Sequence, residues 1–275
     1  LSAHFRKDRR RAAAARRIRR AAALLTLCLT LAGCALRAPA WQFTLETRRD
    51  ADDYTARDGT MLSWYAYELP RLTVEGGRPG AEPPAEMTAA CEAFNAEIER
   101  CRTLLGEEYH ALEQLAIGTY IDNGAEGFQM TGQRFAIVES RQTDRLLCVR
   151  ADGCNDWGGA HPVEFTVVWN FDLASGAFVT WRDLTDRPDA LRAVLASEMF
   201  AQIGAEAERY FPNCAARVET LEGAAVYFAE DGVRVVFQPY TIAPYAAGLP
   251  QFTVPWKKLA PYWNEYGKEL LKPAG

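Results

Sequence analysis

The sequence has 275 residues, of which 49% are apolar, 24% charged and 11% aromatic. That is enough apolar material for one large or two small domains with a buried core, and it excludes disordered, collagen-like and disulfide-only miniature proteins. Residues 1–33 carry nine arginines and lysines and the single acid Asp8, so residues 34–275 hold a net charge of −13 against −5 for the whole chain. An acidic body argues against a nucleic-acid partner and suits a cationic one.

Residues 6–20 are basic, and residues 21–32 (AAALLTLCLTLA) are an uninterrupted run of apolar and small side chains that ends in Leu31-Ala32-Gly33-Cys34. This pattern predicts an export signal, and the run falls well short of the roughly 20 residues that a permanent membrane-spanning helix needs. The Leu-Ala-Gly-Cys string resembles the lipobox of bacterial lipoproteins. It implies that residues 1–33 are removed, that Cys34 is lipidated, and that residues 34–40 tether the rest to the outer face of the bacterial cytoplasmic membrane.

Beyond the tether, residues 41–46 (WQFTLE) alternate apolar and polar side chains as a half-buried strand does. Residues 61–69 and 71–75 read as aromatic strand segments separated at Pro70, which suits an edge or a bend. After a Gly/Pro break at 76–84, the residues Met87, Ala90, Cys91, Phe94, Ile98, Cys101 and Leu105 recur at three- and four-residue spacings. They predict an amphipathic helix to about residue 115, closed near Gly118. Residues 128–130, 134–139 and 145–150 read as a meander followed by a loop at 151–160. Residues 163–171 and 177–181 flank Asp172-Leu-Ala-Ser-Gly176 as a hairpin, 188–206 read as a second helix, and 224–228 with 233–237 form a hairpin around Asp231-Gly232. A short helix is expected over 259–271. Without regular strand–helix alternation, the order predicts an α+β fold of antiparallel sheets with helices packed on one face.

Five cysteines follow Cys34. Cys91 and Cys101 lie about 15 Å apart along one predicted helix, too far to bond, and read as core thiols. Cys148 and Cys154 are expected to form a loop-clamping disulfide. Those two with His161 could offer a metal three ligands, but no C-x-x-C pair anchors them, so no metal is assigned. Asp152, Asn155 and Asp156 lack the glycine and bidentate glutamate of a calcium loop and read as solvated turn residues. No G-x-S-x-G turn or papain-like cysteine is present, so no catalytic residue and no cofactor are assigned, and binding is expected in preference to catalysis. The Gly158-Gly159-Ala160-His161-Pro162 string reads as a tight entry into a strand. Residues 239–250 (PYTIAPYAAGLP) read as an ordered loop exposing aromatic surface. His161, Tyr240 and Tyr245 are the candidate ligand contacts.

Several ordered strings carry a family resemblance: the Gly158 to Pro162 string, Asn170-Phe171-Asp172-Leu173, Asp183-Leu184, the run from Val236 to Gly248, and Phe252-Thr253-Val254-Pro255. In order and wording they resemble the RsiV-like family, the extracytoplasmic domains of lysozyme-sensing anti-sigma factors, and the related module of PdaC-type peptidoglycan deacetylases. The resemblance implies an associated α+β domain over 41–150 and an RsiV-like domain over 151–275, packed together. It further implies a binding or sensing role toward lysozyme or another cationic wall-active protein. A lipobox stands where an anti-sigma factor has a spanning helix and a sigma-binding domain, so the expected setting is a lipoprotein of the cell envelope. Two alternatives are an accessory protein that acts on or binds peptidoglycan and a structural envelope lipoprotein without a dedicated ligand. The expected partners are therefore a lysozyme-like cationic protein or cell-wall glycan, with the membrane reached through the lipid.

Overall fold

The computed structural model describes residues 40–272. The expected signal, its lipobox and Cys34 lie outside the described residues, and no described helix is long and apolar enough to cross a membrane. The chain divides into two compact units, one made of Gln42–Glu75 with Pro83–Gly275 and the other containing Trp41 and Gly76–Glu82. In the smaller unit Gly77 has φ +71°, and a Cβ there would stand 2.1 Å from the Trp41 ring.

The larger unit begins with β1 (Gln42–Thr55) and β2 (Met61–Glu75), a long antiparallel hairpin. β2 runs straight through Pro70, where the sequence predicts a break. The reason lies two residues on, where the N–H and C=O of Leu72 point away from β1 and meet the side-chain amide of Asn95, both at 2.9 Å. By the two-residue period of a strand, the Pro70 nitrogen faces that same open side, where no ladder needs a donor.

Helix α1 (Ala85–Asn123) continues past Gly118 and stops at Gly124, whose φ of 71° only glycine adopts easily. Its buried stripe of Ala90, Phe94, Ile98, Leu105, Leu112 and Ala116 lies on the sheet. The helix is a crossover, and it lets Thr131–Phe135 of β3 (Thr131–Gln142) pair with Ser63–Tyr67 of β2 in parallel. The remaining neighbours, β4 (Leu146–Asp156), β5 (Val163–Asp172) and β6 (Ala177–Phe178), are antiparallel and complete the order β1-β2-β3-β4-β5-β6.

β4 includes residues 151–156, expected as a loop, and the domain division expected at 150/151 falls inside it. Both of its faces are buried, which masks the alternation that normally marks a strand. Leu147, Val149 and Ala151 meet the core under α1, whereas Leu146 and Cys148 meet a second core with Leu191, Leu195 and Met199 of α2 (Pro188–Ala205). The second core is closed by α3 (Ala215–Thr220) and by the antiparallel meander of β7 (Ala224–Phe228), β8 (Gly232–Phe237) and β9 (Gln251–Pro255). Two short helices, α4 (Trp256–Leu259) and α5 (Glu265–Leu270), stand where one was expected. The fold is the expected α+β class, with two mostly antiparallel sheets and helices packed against them.

The loop reading of Asp152 and Asn155 is corrected by β4. Asn155 is buried and accepts from the Gln133 side chain at 2.9 Å, while Asp152 accepts two hydrogen bonds from the buried Arg150. Gly153 is required for a different reason, since a Cβ there would stand 2.0 Å from the Phe165 ring. Gly153→Ala is expected to destabilise the protein by about 1–3 kcal/mol through overpacking, read from the urea midpoint, with partial recovery in Gly153→Ala/Phe165→Leu.

The expected Cys148–Cys154 bridge is likewise corrected. The two residues lie six positions apart on the single extended strand β4, about 20 Å, where a disulfide needs Cα atoms within about 7 Å. All five described cysteines are free thiols. Burial pushes the Cys148 thiol strongly up, and that of Cys101 up to about 11. Cys148 is therefore expected to resist alkylation until the protein unfolds, and reductant to leave Tm unchanged; peptide mass spectrometry and calorimetry check both.

Candidate functional site

Two loops far apart in sequence bring His161, Tyr240 and Tyr245 together. The first, 157–162, turns β4 into β5. Gly158 has φ +71°, and a Cβ there would stand 2.6 Å from Gln129 Cβ, which explains the glycine. The second loop leaves β8 at Gln238 and is pinned by the fully buried Ile242 and nearly buried Ala243, with the Phe211 N–H donating to the Ile242 carbonyl at 2.9 Å. Burial of that middle pushes the flanking tyrosines outward.

The His161 ring stacks on Tyr245 with centroids 3.9 Å apart and planes 15° from parallel. Its Nδ1 lies 3.0 Å from the Pro162 carbonyl, and its Nε2 lies 3.1 Å from the Tyr240 hydroxyl. A carbonyl only accepts, so in the neutral ring the proton sits on Nδ1 and the Tyr240 hydroxyl donates to Nε2. Tyr240 is 56% exposed and has φ +61°, a backbone conformation unfavourable for a side chain of this size. Burial, then the charge of nearby Glu164, raises the Tyr245 phenol and keeps it protonated.

This arrangement presents stacked aromatic rings built by two loops. The imidazole nitrogens are engaged by a carbonyl and a phenol, and neither addresses a serine or cysteine as an activating base does. Among the described residues, no group of three or more His, Cys, Asp or Glu side chains is placed to hold a metal. His110 lies away from the platform on α1, within 3.5 Å of Glu113.

Sequence reasoning missed three side-chain amides that hold strand edges. Besides Asn95 on Leu72, Gln238 accepts from the Thr166 N–H at 3.0 Å and donates to its C=O at 2.9 Å. Asn170 donates to the Val226 carbonyl at 2.8 Å and accepts from the Phe228 N–H at 3.3 Å. The available signal was an amide inside an apolar strand run, as in VVWNF and VVFQP, where a buried polar group must find partners.

The class defined by this geometry is an α+β domain in which a six-stranded sheet, crossed by one long helix, packs with a three-stranded meander. Two solved structures share it. One is a member of the DUF3298 family from Bacteroides fragilis, 15% identical, with a TM-score of 0.58 over 82% of this chain and 96% of that one. The other is a DUF3298 family protein from Pseudomonas aeruginosa, 14% identical, with a TM-score of 0.51 over 85% and 98%. At these identities the likeness concerns the fold. Residues 186–257 match the family model described as "Protein of unknown function (DUF3298)". They run from the start of α2 through the second sheet and include Tyr240 and Tyr245. No curated protein sequence matches the chain.

Proposed function

We propose that this chain is a binding module of the bacterial cell envelope, lipid-anchored through Cys34, whose His161–Tyr245–Tyr240 surface engages a cationic wall-active protein such as lysozyme. The observation that carries the reading is the outward stack of three aromatic rings built by two separate loops, one of them on a costly positive φ. Aromatic side chains of this kind supply contact area at low entropic cost and anchor protein interfaces. The resemblance to lysozyme-sensing domains and the −13 charge of residues 34–275 support the choice of partner.

Calorimetric titration of the soluble chain from Trp41 onward with a C-type lysozyme tests this reading. Binding is expected to persist at near-physiological salt, with a faster association at low salt from charge steering. Tyr245→Ala is expected to weaken it at least about tenfold. Binding confined to low salt, or none, overturns the reading. The anchor is tested separately: Cys34→Ala is expected to release the protein from the membrane fraction, and unchanged retention contradicts lipidation.

A further inference from the structure

Glu164 stands beside the ring stack without a cation of its own. In the β4–β5 ladder it pairs with Cys154, so it lies on the face of the first sheet away from α1, the face that Leu146 and Cys148 share. The next residue on that face, Thr166, has its backbone held by the Gln238 side chain, two residues before Tyr240. Tyr245 is close enough for the Glu164 charge to act on its phenol. Elsewhere on this face the acids are paired, Asp152 with Arg150 and Glu139 with Arg234. Glu164 is half-buried and makes no ion pair among the described residues. The cation nearest to it in the ladder, Arg134, lies across Cys154, two strand spacings or about 10 Å away. Asp156 adds a second negative charge beside the same cysteine.

An unpaired carboxylate beside flat aromatic rings selects the side chain that completes it. Tyr240 is fixed by its hydroxyl bond to His161 and leaves its ring 56% exposed. Its plane lies 28° from that of Tyr245, which lies 15° from that of His161, so the three rings are roughly parallel. A lysine ammonium is compact and strongly hydrated. A guanidinium is planar and more weakly hydrated, stacks on aromatic rings, and forks onto a carboxylate with two parallel hydrogen bonds. We propose that the stack is an arginine site, in which the guanidinium of a partner protein lies on the Tyr240 ring and donates its fork to the Glu164 carboxylate. This rests on the protein-binding role proposed above and narrows it, since exposed arginines of the partner, and not its net positive charge alone, then decide the fit. The rings are held in place before contact, so the ordering cost falls on the partner's side chain.

The test follows the Tyr240 and Tyr245 ring signals of the soluble chain from Trp41 onward by NMR, during titration with N-acetylarginine amide and, separately, N-acetyllysine amide. The arginine probe is expected to bind at about 10 mM or tighter, and the lysine probe at least about fivefold more weakly. Glu164→Gln is expected to abolish this difference. Glu107→Gln, which removes an exposed charge from α1 on the other face of the sheet, is expected to keep it. Glu164→Gln is also expected to weaken binding of a C-type lysozyme at least about tenfold at near-physiological salt. Equal responses to the two probes, tyrosine signals that do not move, or a preference that survives Glu164→Gln overturns the arginine site. Lysozyme binding to a chain that ignores the arginine probe keeps the protein-binding role and removes this inference. Arginine binding without lysozyme binding keeps the site and removes that partner. Should Glu164→Gln fail to fold, the two probes on the unsubstituted chain decide alone.

Discussion

Replacing Phe94 with alanine is expected to destabilise the protein by about 3–5 kcal/mol. Phe94 is fully buried in the middle of the α1 stripe, edge-on to Phe171 at 5.3 Å and stacked on Phe178 at 6.0 Å. It is thus the contact through which the crossover helix reaches the far strands β5 and β6. Truncation removes the transfer energy of the ring and leaves a cavity that the backbones of a helix and a sheet cannot close. Equilibrium urea unfolding measures the loss. A cost under about 1 kcal/mol would contradict the packing of α1 on this sheet. Phe94→Leu, which keeps most of the volume, is expected to cost less than half as much.

The second large effect concerns Asp172, whose side chain is fully buried at the β5–β6 turn. Burial alone would raise its carboxyl. Hydrogen bonds from Arg145, from the Ala174 N–H at 3.0 Å and from the Tyr266 hydroxyl at 3.0 Å outweigh burial and hold it below the ordinary carboxylate value. Burial, and after it the same contact with Asp172, pushes the Tyr266 phenol up to about 12. Arg145→Ala leaves the buried carboxylate without its partly exposed cationic partner but still bonded to Ala174 and Tyr266, and is expected to cost about 1.5–3 kcal/mol at neutral pH.

The sign of the pH dependence follows from the two directions. A depressed carboxyl contributes stability that is fully present above its unfolded value of about 3.9 and is lost as pH falls through the folded value. A raised phenol contributes stability that is present below about 10 and is lost as pH climbs toward 12. Arg145→Ala is expected to flatten the acid limb, so that its cost is largest near neutral pH and shrinks as Asp172 becomes protonated. Tyr266→Phe is expected to remove part of the alkaline limb while leaving Asp172 paired with Arg145. Unfolding free energies measured from pH 2 to pH 11 check both, and an acid limb unchanged by Arg145→Ala would count against this pairing.

Much of the architecture is legible in the sequence because local physics decides it. The heptad-like recurrence of Ala90, Phe94, Ile98 and Leu105 marks α1 wherever the helix packs, since one apolar stripe needs one partner surface. The Asp231-Gly232 turn marks the β7–β8 hairpin for a similarly local reason. Where two partner surfaces exist, the reading fails. β4 is buried on both faces, so its alternation vanishes and residues 151–156 read as a loop. A loop at 151–156 would let the chain bend between Cys148 and Cys154 and bring them within disulfide reach, whereas the extended strand holds them apart. Pro70 misleads in the opposite direction, because its cost depends on which edge of β2 is unpaired.

The candidate site divides along the same line. His161, Tyr240 and Tyr245 could be singled out as aromatic and polar side chains in loops rich in glycine and proline, where function concentrates. That the imidazole lies on one phenol ring and accepts from the other is set by how the β4–β5 turn meets the loop after β8. The sequence by itself determined the α+β class, the main helices and hairpins and the acidic body, all of which rest on periodicity, turn chemistry and composition. Only the tertiary structure decided the strand order, the parallel β2–β3 pair, the free thiols and the aromatic platform, because each depends on contacts between segments whose separation in the chain carries no local energetic signal.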